Sequence, residues 1–122
     1  KNVVARMFNI PPDENYSFVD GTEWQVEGKN ISFIYRRSAP LKPASTVLAY
    51  GGGGTYGYHY ERSRGQLTLR ERARIQTFSD DFVFSGNGVR AQIGEAVPPI
   101  LGKKIACTIK WLISIFDPKQ QT

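Results

Sequence analysis

The chain has 122 residues, the usual size of one domain, and its 40% hydrophobic and 22% charged residues exclude a disordered protein. A single cysteine and a single histidine exclude an internal disulfide, a cysteine-based zinc site and a histidine cluster. The formal net charge of +5 fits either a polyanion-binding protein or a solvated basic surface.

The first 35 residues give few signals. Residues 1–22 mix apolar pieces with turn formers and predict no firm element. Two short strands, Trp24–Glu27 and Ile31–Arg36, are predicted around a hairpin turn at Gly28–Asn30. Residue 1 is Lys, so we expect the chain to be trimmed or to be part of a longer polypeptide.

A run of four glycines marks the middle of the chain. The β-branched stretch Thr46–Tyr50 predicts a strand that leads into Gly51–Gly54, and Tyr56–Tyr60 predicts a returning strand. The run serves either a turn or the close approach of the backbone to a ligand. The string Gly52-x-Gly54-x-x-Gly57 is not a dinucleotide site, because Tyr58-His59-Tyr60 is not a helix start.

The same region lacks acidic residues. Residues 31–60 contain three basic side chains, and five tyrosines lie between Glu27 and Glu61. Basic and aromatic residues without acids suit a nucleic acid, although a solvated basic face explains the charge equally well.

Helix signals dominate the second half. Thr68 and Glu71 form a capping box that predicts a helix to about Thr77, and a second short helix is predicted over Val89–Gly94. Pro98 and Pro99 predict the start of a last helix. Its apolar residues recur at helical spacing and form a stripe for burial: Leu101, Ile105, Ile109, Leu112 and Phe116.

The order of strands before helices predicts an α+β fold. Phe78, Phe82 and Phe84 are expected to form a small aromatic cluster. The longest apolar run, Ile105–Phe116, is too short for a membrane span, so no membrane partner is expected.

Neither of the two reactive residue types suggests catalysis. Cys107 lies in an apolar helical stretch, where cysteine is usually a small buried hydrophobe, and His59 has no acidic partner nearby in sequence. We therefore assign no catalytic residue and no metal ligand to this chain.

Two strings and their spacing resemble a known family. The segments LTLRERARIQTFSDDFVF, Leu67–Phe84, and QIGEAVPP, Gln92–Pro99, resemble the C-terminal part of the cytosine-5 DNA methyltransferases. The segment ASTVLAYGGGG, Ala44–Gly54, resembles the end of that family's target recognition domain. The resemblance covers residues 36–116, and residues 1–35 would be the variable part of the recognition domain.

The resemblance implies a function and a division of the chain. Residues 1–66 would form a small, strand-rich target recognition region. Residues 67–122 would provide two or three helices that dock on a Rossmann-like catalytic domain, which this chain lacks. The enzyme would transfer a methyl group from S-adenosylmethionine to C5 of a flipped cytosine in double-stranded DNA. It would serve a restriction-modification system in the bacterial cytoplasm.

The family's nucleophile is absent. It is a cysteine that follows a proline, whereas Cys107 follows Ala106. We therefore predict that the chain is inactive alone and that its partner is the catalytic half of the methyltransferase. It looks like the smaller subunit of a split enzyme, and a trimmed fragment of a single-chain enzyme is the competing explanation.

The resemblance also implies roles for individual residues. Expected DNA contacts are Arg36, Arg37, Thr46, Tyr50, Gly51, Gly52, Gly53 and Gly54. Expected neighbours of the cofactor are Glu95, Ala96 and Val97, with Glu95 in place of the family's asparagine. Expected structural residues are Thr68, Glu71 and Arg74, the last bonding to the backbone of the recognition region.

Two other classes of function remain open. A stand-alone basic DNA-binding module without catalysis would explain the charge but not the QIGEAVPP segment. A purely structural subunit would stabilise an enzyme without contacting DNA. Binding of the chain alone to duplex DNA separates these two.

Overall fold

Helices are the main regular structure of residues 3–27, 31–50, 54–62 and 65–116, the parts of the chain that the computed structural model describes. The helices are α1 (Val3–Phe8), α2 (Leu69–Ile75), α3 (Val89–Glu95) and α4 (Pro99–Phe116), and a 3-10 turn covers Tyr16–Val19. The described chain thus has an irregular N-terminal half and a helical C-terminal half.

The N-terminal half has an apolar core of its own. Its buried members are Met7, Ile10, Val19, Ile34, Tyr35 and Tyr58. Helix α1 contributes Met7, and the side chain of Asn15 caps the 3-10 turn by accepting from the Ser17 amide at 2.9 Å. Neither element was predicted, because such short elements depend on burial rather than on a long periodic pattern.

The predicted α+β fold with a strand-rich recognition region is wrong. Among the described residues, strand-like pairing is limited to two isolated bridges, one from Arg37 to Tyr58 and one from Tyr58 to Gln66. The segment 31–36 forms turns instead: the Ile34 amide donates to the Ile31 carbonyl at 3.1 Å, and Tyr35 has a φ of +50°. A left-handed residue in that position breaks a strand.

The other predicted strands also fail to form a ladder. The Gln25 amide donates to the Thr22 carbonyl at 3.2 Å, which makes a turn at the start of segment 24–27. The segments 46–50 and 56–60 do not pair with each other, and the hairpin turn at 28–30 lies outside the described residues. Side-chain composition favoured extended backbone here, but a sheet also requires partners in register.

The predicted helices of the C-terminal half are confirmed. The Thr68 hydroxyl accepts from the Glu71 amide at 3.2 Å, and the Glu71 carboxylate accepts from the Thr68 amide at 2.7 Å, which completes the capping box of α2. Helix α3 is one residue longer than predicted, and α4 begins at Pro99. The three phenylalanines pack with ring centroids 4.9–5.0 Å apart.

A second buried cluster joins the halves. Val47 packs against Ala73 of α2 and Ile93 of α3. The side-chain amide of Gln76, just after α2, donates to the carbonyls of Ile93 and Ala96 at 2.9 and 3.3 Å. The end of α3 is therefore fixed to α2 on one side and to the segment before the glycine run on the other.

Helix α4 has no buried residue in this chain. The apolar stripe predicted for burial is exposed, and so is Cys107, which was expected to be buried. The Thr77 hydroxyl accepts from the Ile100 amide at 3.1 Å and so fixes the start of α4. None of the helices within the described ranges combines the length and the apolar character needed to cross a membrane.

Candidate nucleic-acid interface

An open cavity of about 350 Å³ brings together three of the predicted DNA-contact residues. Arg36, Arg37 and Thr46 all line it, although Thr46 lies ten positions after Arg36 in the sequence. Lys42 and Arg72 add two further cations, and Asp13 is the one acidic residue among the described lining residues. The cavity therefore has an excess of positive charge, which suits phosphate groups.

Asp13 partly neutralises this charge. Its carboxylate accepts from the Arg36 guanidinium at 2.9 Å and from the Lys42 ammonium. The hydrogen bond from Lys42, with that from Arg36, lowers the pKa of Asp13. Both cations are partly exposed at the cavity, so an anionic ligand can reach them by competing with one carboxylate.

Arg37 is buried, unlike the adjacent Arg36. It is only 6% exposed, and its guanidinium donates to the carbonyls of Ile10, Glu61 and His59 at 2.8, 3.2 and 3.4 Å. Burial lowers the pKa of this guanidinium. Arg37 thus ties three backbone segments together, which is a structural task that sequence reasoning did not foresee.

Arg72, rather than Arg74, forms the hydrogen bonds to backbone carbonyls that were expected of Arg74. The Arg72 guanidinium donates to the carbonyls of Leu67 and Tyr56 at 3.1 and 3.5 Å. It packs so closely on Gly57 that a Cβ atom there would lie 3.0 Å from its nitrogen. Arg74 instead forms a two-pronged ion pair with Asp80 at 2.7 and 2.8 Å.

Tyr50 lies apart from the cavity. Its side chain is 71% exposed, and its phenol forms a hydrogen bond with the carboxylate of Glu95 in α3, which raises the pKa of Tyr50. Gly54 has a φ of +89°, and its carbonyl accepts from the hydroxyl of buried Tyr58, whose burial raises its pKa to about 12. Gly51, Gly52 and Gly53 lie outside the described residues.

The three expected neighbours of the cofactor have different surroundings. Glu95 bonds to Tyr50, and the Ala96 carbonyl accepts from Gln76. Val97 is 65% exposed and offers an apolar surface. Ala96 and Val97 fit one apolar wall of a cofactor site, but Glu95 does not fit as a ligand of an amino acid carboxylate, because like charges repel.

His59 has a structural role in the described part of the chain. Its Nδ1 accepts from the amides of Glu61 and Arg62 at 3.1 and 3.4 Å, and its ring stacks on Tyr60. A nitrogen that accepts from backbone amides is already satisfied.

The cationic cavity could have been predicted from the absence of acidic residues in segment 31–60. That segment contains Lys42 as well as the two arginines.

Comparison with known proteins gives a consistent result. A family model for C-5 cytosine-specific DNA methylases matches residues 7–111. The chain is 66% identical over 108 residues to the DNA (cytosine-5-)-methyltransferase M.ApeKI of Aeropyrum pernix, covering 87% of this chain and 23% of that protein. It is 48% identical over 104 residues to the type II methyltransferase M.BbvI of Brevibacillus brevis, covering 81% and 28%.

A third relative is the type II methyltransferase M.NgoFVII of Neisseria gonorrhoeae, 55% identical over 71 residues, or 57% of this chain and 19% of that protein. The matched part of the chain thus spans only 19–28% of these relatives' length. No solved structure matches it. The family model covers most of the chain, which therefore belongs to the C-5 cytosine-specific DNA methylases.

Proposed function

We propose that this chain is the DNA-recognition and cofactor-wall part of a DNA (cytosine-5-)-methyltransferase. The enzyme transfers a methyl group from S-adenosylmethionine to C5 of a flipped cytosine, in the cytoplasm and within a type II restriction-modification system. The observation that carries this proposal is the family match over residues 7–111 together with 66% identity to a named methyltransferase. The division into a recognition region, 1–66, and a C-terminal region, 67–122, is part of the proposal.

The cationic cavity supplies the DNA-contacting surface. Arg36 and Lys42 bind phosphate oxygens or, for the arginine, the O6 and N7 atoms of a guanine. Thr46 lies on the same surface and contacts the backbone of the flipped nucleotide. Tyr50 and the glycine run 51–54 approach base edges, since backbone amides without side chains can come close to them. Together these contacts help to repay the few kcal/mol that base flipping costs.

The catalytic part supplies the nucleophile. Cys107 is exposed on α4 and follows Ala106, so it is not the family's proline-linked cysteine. The catalytic part, in the same polypeptide or in a second one, also covers the apolar side of α4. Ile105 and Ile109 are 49% and 51% exposed here, so covering the exposed half of each side chain contributes about 1 kcal/mol, half of what full burial contributes.

The cofactor binds mainly to that catalytic part. When bound, S-adenosylmethionine supplies the methyl group. In this chain Val97 provides an apolar contact beside the cofactor, and Gln76 holds the backbone at Ala96 in place through its hydrogen bond.

A complementation assay tests the proposal. The chain is purified alone, and M.ApeKI is prepared without the segment that matches it. We expect neither protein alone to transfer labelled methyl groups to duplex DNA, and we expect the mixture to do so. The variant Cys107→Ser should retain the activity of the mixture. Methylation by the chain alone would refute the proposal, because no positioned thiolate would explain it.

A stand-alone DNA-binding module is the second candidate, and the cationic cavity is the observation that favours it. It predicts tight, salt-dependent binding of the chain to duplex DNA without any gain of methylation on mixing. The methyltransferase proposal predicts that gain, so the same assay separates the two.

A further inference from the structure

Helix α3 is in close contact with residues 48–49 at Gly94. A Cβ atom at Gly94 would lie 2.2 Å from the Ala49 nitrogen, 2.4 Å from the Ala49 Cα and 2.7 Å from the Leu48 carbonyl carbon. These are backbone atoms that cannot rotate away. The backbones of α3 and of residues 48–49 are therefore in direct contact, which fixes where the next residue, Tyr50, begins.

The next residue of each segment extends this contact with a hydrogen bond. Glu95 follows Gly94, Tyr50 follows Ala49, and the Tyr50 phenol donates to the Glu95 carboxylate. Ile93, one residue before Gly94, is fully buried, and its carbonyl accepts from Gln76. Glu95 thus follows a turn of α3 that is buried and hydrogen-bonded at Ile93, whereas Tyr50 is 71% exposed.

We propose that Glu95 is a positioning residue for DNA readout, which holds Tyr50 against α3, rather than a ligand of the cofactor. The proposal rests on the proposed function. Because the single O–H of Tyr50 donates its hydrogen bond to Glu95, the hydroxyl oxygen is left to accept from a donor on DNA. Tyr50 thus contacts DNA through the ring and through that acceptor.

The charge of Glu95 supports this assignment. A carboxylate accepts a phenol hydrogen bond well, whereas next to the cofactor's own carboxylate it would be repelled. Its neighbour Val97 remains available for apolar contact with the cofactor. Glu95 therefore acts on DNA binding through Tyr50, whereas Val97, two residues away, contacts the cofactor.

The test uses the assembled methyltransferase, this chain together with its catalytic part. Glu95→Ala and Tyr50→Phe should each weaken the binding of cognate duplex DNA about fivefold, the equivalent of about one net hydrogen bond. The double variant should bind no more weakly than either single variant, because both remove the same bond. Glu95→Gln, which still accepts through its amide oxygen, should restore DNA affinity.

Two controls accompany these variants. Tyr60→Phe removes a phenol hydroxyl elsewhere in the recognition region and should leave DNA affinity unchanged. The affinity for S-adenosylmethionine, measured without DNA, should stay within about twofold of wild type in every variant. A loss of cofactor affinity in Glu95→Ala with unchanged DNA binding would overturn the proposal.

A spectroscopic readout tests the link separately from the enzyme's function. The Tyr50 phenol is titrated by NMR with carbon-13-labelled tyrosine, assigned from the Tyr50→Phe spectrum. Its pKa should fall toward the ordinary tyrosine value in Glu95→Ala, which removes both the hydrogen bond and the charge, and should fall by less in Glu95→Gln, which keeps an acceptor but removes the charge. An unchanged pKa would refute the contact. Failure of the wild-type assembly to bind DNA would refute the proposed function instead, with the titration still deciding whether Glu95 holds Tyr50.

Discussion

The two halves of this chain achieve order in opposite ways. The N-terminal half has little regular structure, yet it buries its own core around Met7 and Tyr58 and connects its loops through Arg37. The C-terminal half is mostly helical, yet its longest element, α4, buries nothing in this chain. Regular secondary structure is therefore no measure of burial: local signals form α4, although its apolar side chains remain exposed in this chain.

The contact between the halves at Gly94 is where we expect the largest effect. Gly94→Ala places a methyl group against the Ala49 backbone, so we expect a loss of about 3 kcal/mol in the free energy of unfolding. Urea denaturation of the chain measures it.

Gly102→Ala is the matched control. Gly102 lies in α4, where an added Cβ would come no nearer than 4.0 Å to Val97. The alanine should be neutral or should stabilise the chain by up to about 1 kcal/mol through helix propensity. Equal effects of the two substitutions would mean that the halves are not in contact at Gly94.

The adjacent arginines of the N-terminal half should separate into a structural residue and a ligand-binding residue. Arg37→Ala leaves three backbone carbonyls without their donor, and we expect it to lower the free energy of unfolding by about 3 kcal/mol. Arg36→Ala removes one partly exposed ion pair and should cost less than about 1 kcal/mol.

DNA affinity, measured at the same salt concentration for the wild type and Arg36→Ala, tests the ligand-binding role of Arg36. Arg36→Ala should weaken the affinity for cognate DNA by about 1–3 kcal/mol if the guanidinium reads a guanine. If Arg36→Ala binds DNA as the wild type does while remaining folded, the cationic cavity is not the DNA-contacting surface.

The exposed side of α4 should matter for assembly but not for the stability of the chain. Ile109→Lys should change the free energy of unfolding by less than about 0.5 kcal/mol, because the side chain is already half exposed. It should weaken association with the catalytic part by about 2 kcal/mol, measured by calorimetry. Lys103→Gln, an exposed substitution on the same helix, is the control. A destabilised Ile109→Lys chain would show that α4 packs within this chain.

Local signals in the sequence predicted the C-terminal half well. The Thr68–Glu71 capping box and the proline before α4 act within one helical turn, so no distant partner was needed to recognise them. The expected strands failed because a sheet depends on partners far away in sequence, and turns replaced them in segment 31–36.

The candidate site shows the same limit. Arg36 and Arg37 are identical neighbours in the sequence, and only the packing of distant carbonyls makes one of them structural. The Glu95–Tyr50 bond joins residues 45 positions apart, and nothing local marks it. Residue type and charge predicted which segment supplies the cations, whereas the cavity, its acidic residue Asp13 and the individual roles required the fold.

The smallest expected effect is the pH dependence of the α2 cap, which belongs to the half that local signals specify. The Arg62 guanidinium and the Thr68 amide and hydroxyl stabilise the Glu71 carboxylate and lower its pKa from 4.5 to about 2. The folded pKa lies below the unfolded one, so this stabilisation is present above about pH 4.5 and is lost as the pH falls toward 2. The lowered pKa values of Asp13 and Asp80 also make the stability of the wild type depend on pH. The contribution of the cap is therefore the difference in stability between the wild type and Glu71→Gln at each pH. We expect that difference to be about 1 kcal/mol at pH 7 and to disappear only as the pH falls below about 2 in thermal melts. Arg62→Gln should reproduce part of it, since Arg62 is the largest cause of the shift. If Glu71→Gln melts parallel to the wild type from pH 7 to pH 2, the capping carboxylate does not stabilise α2.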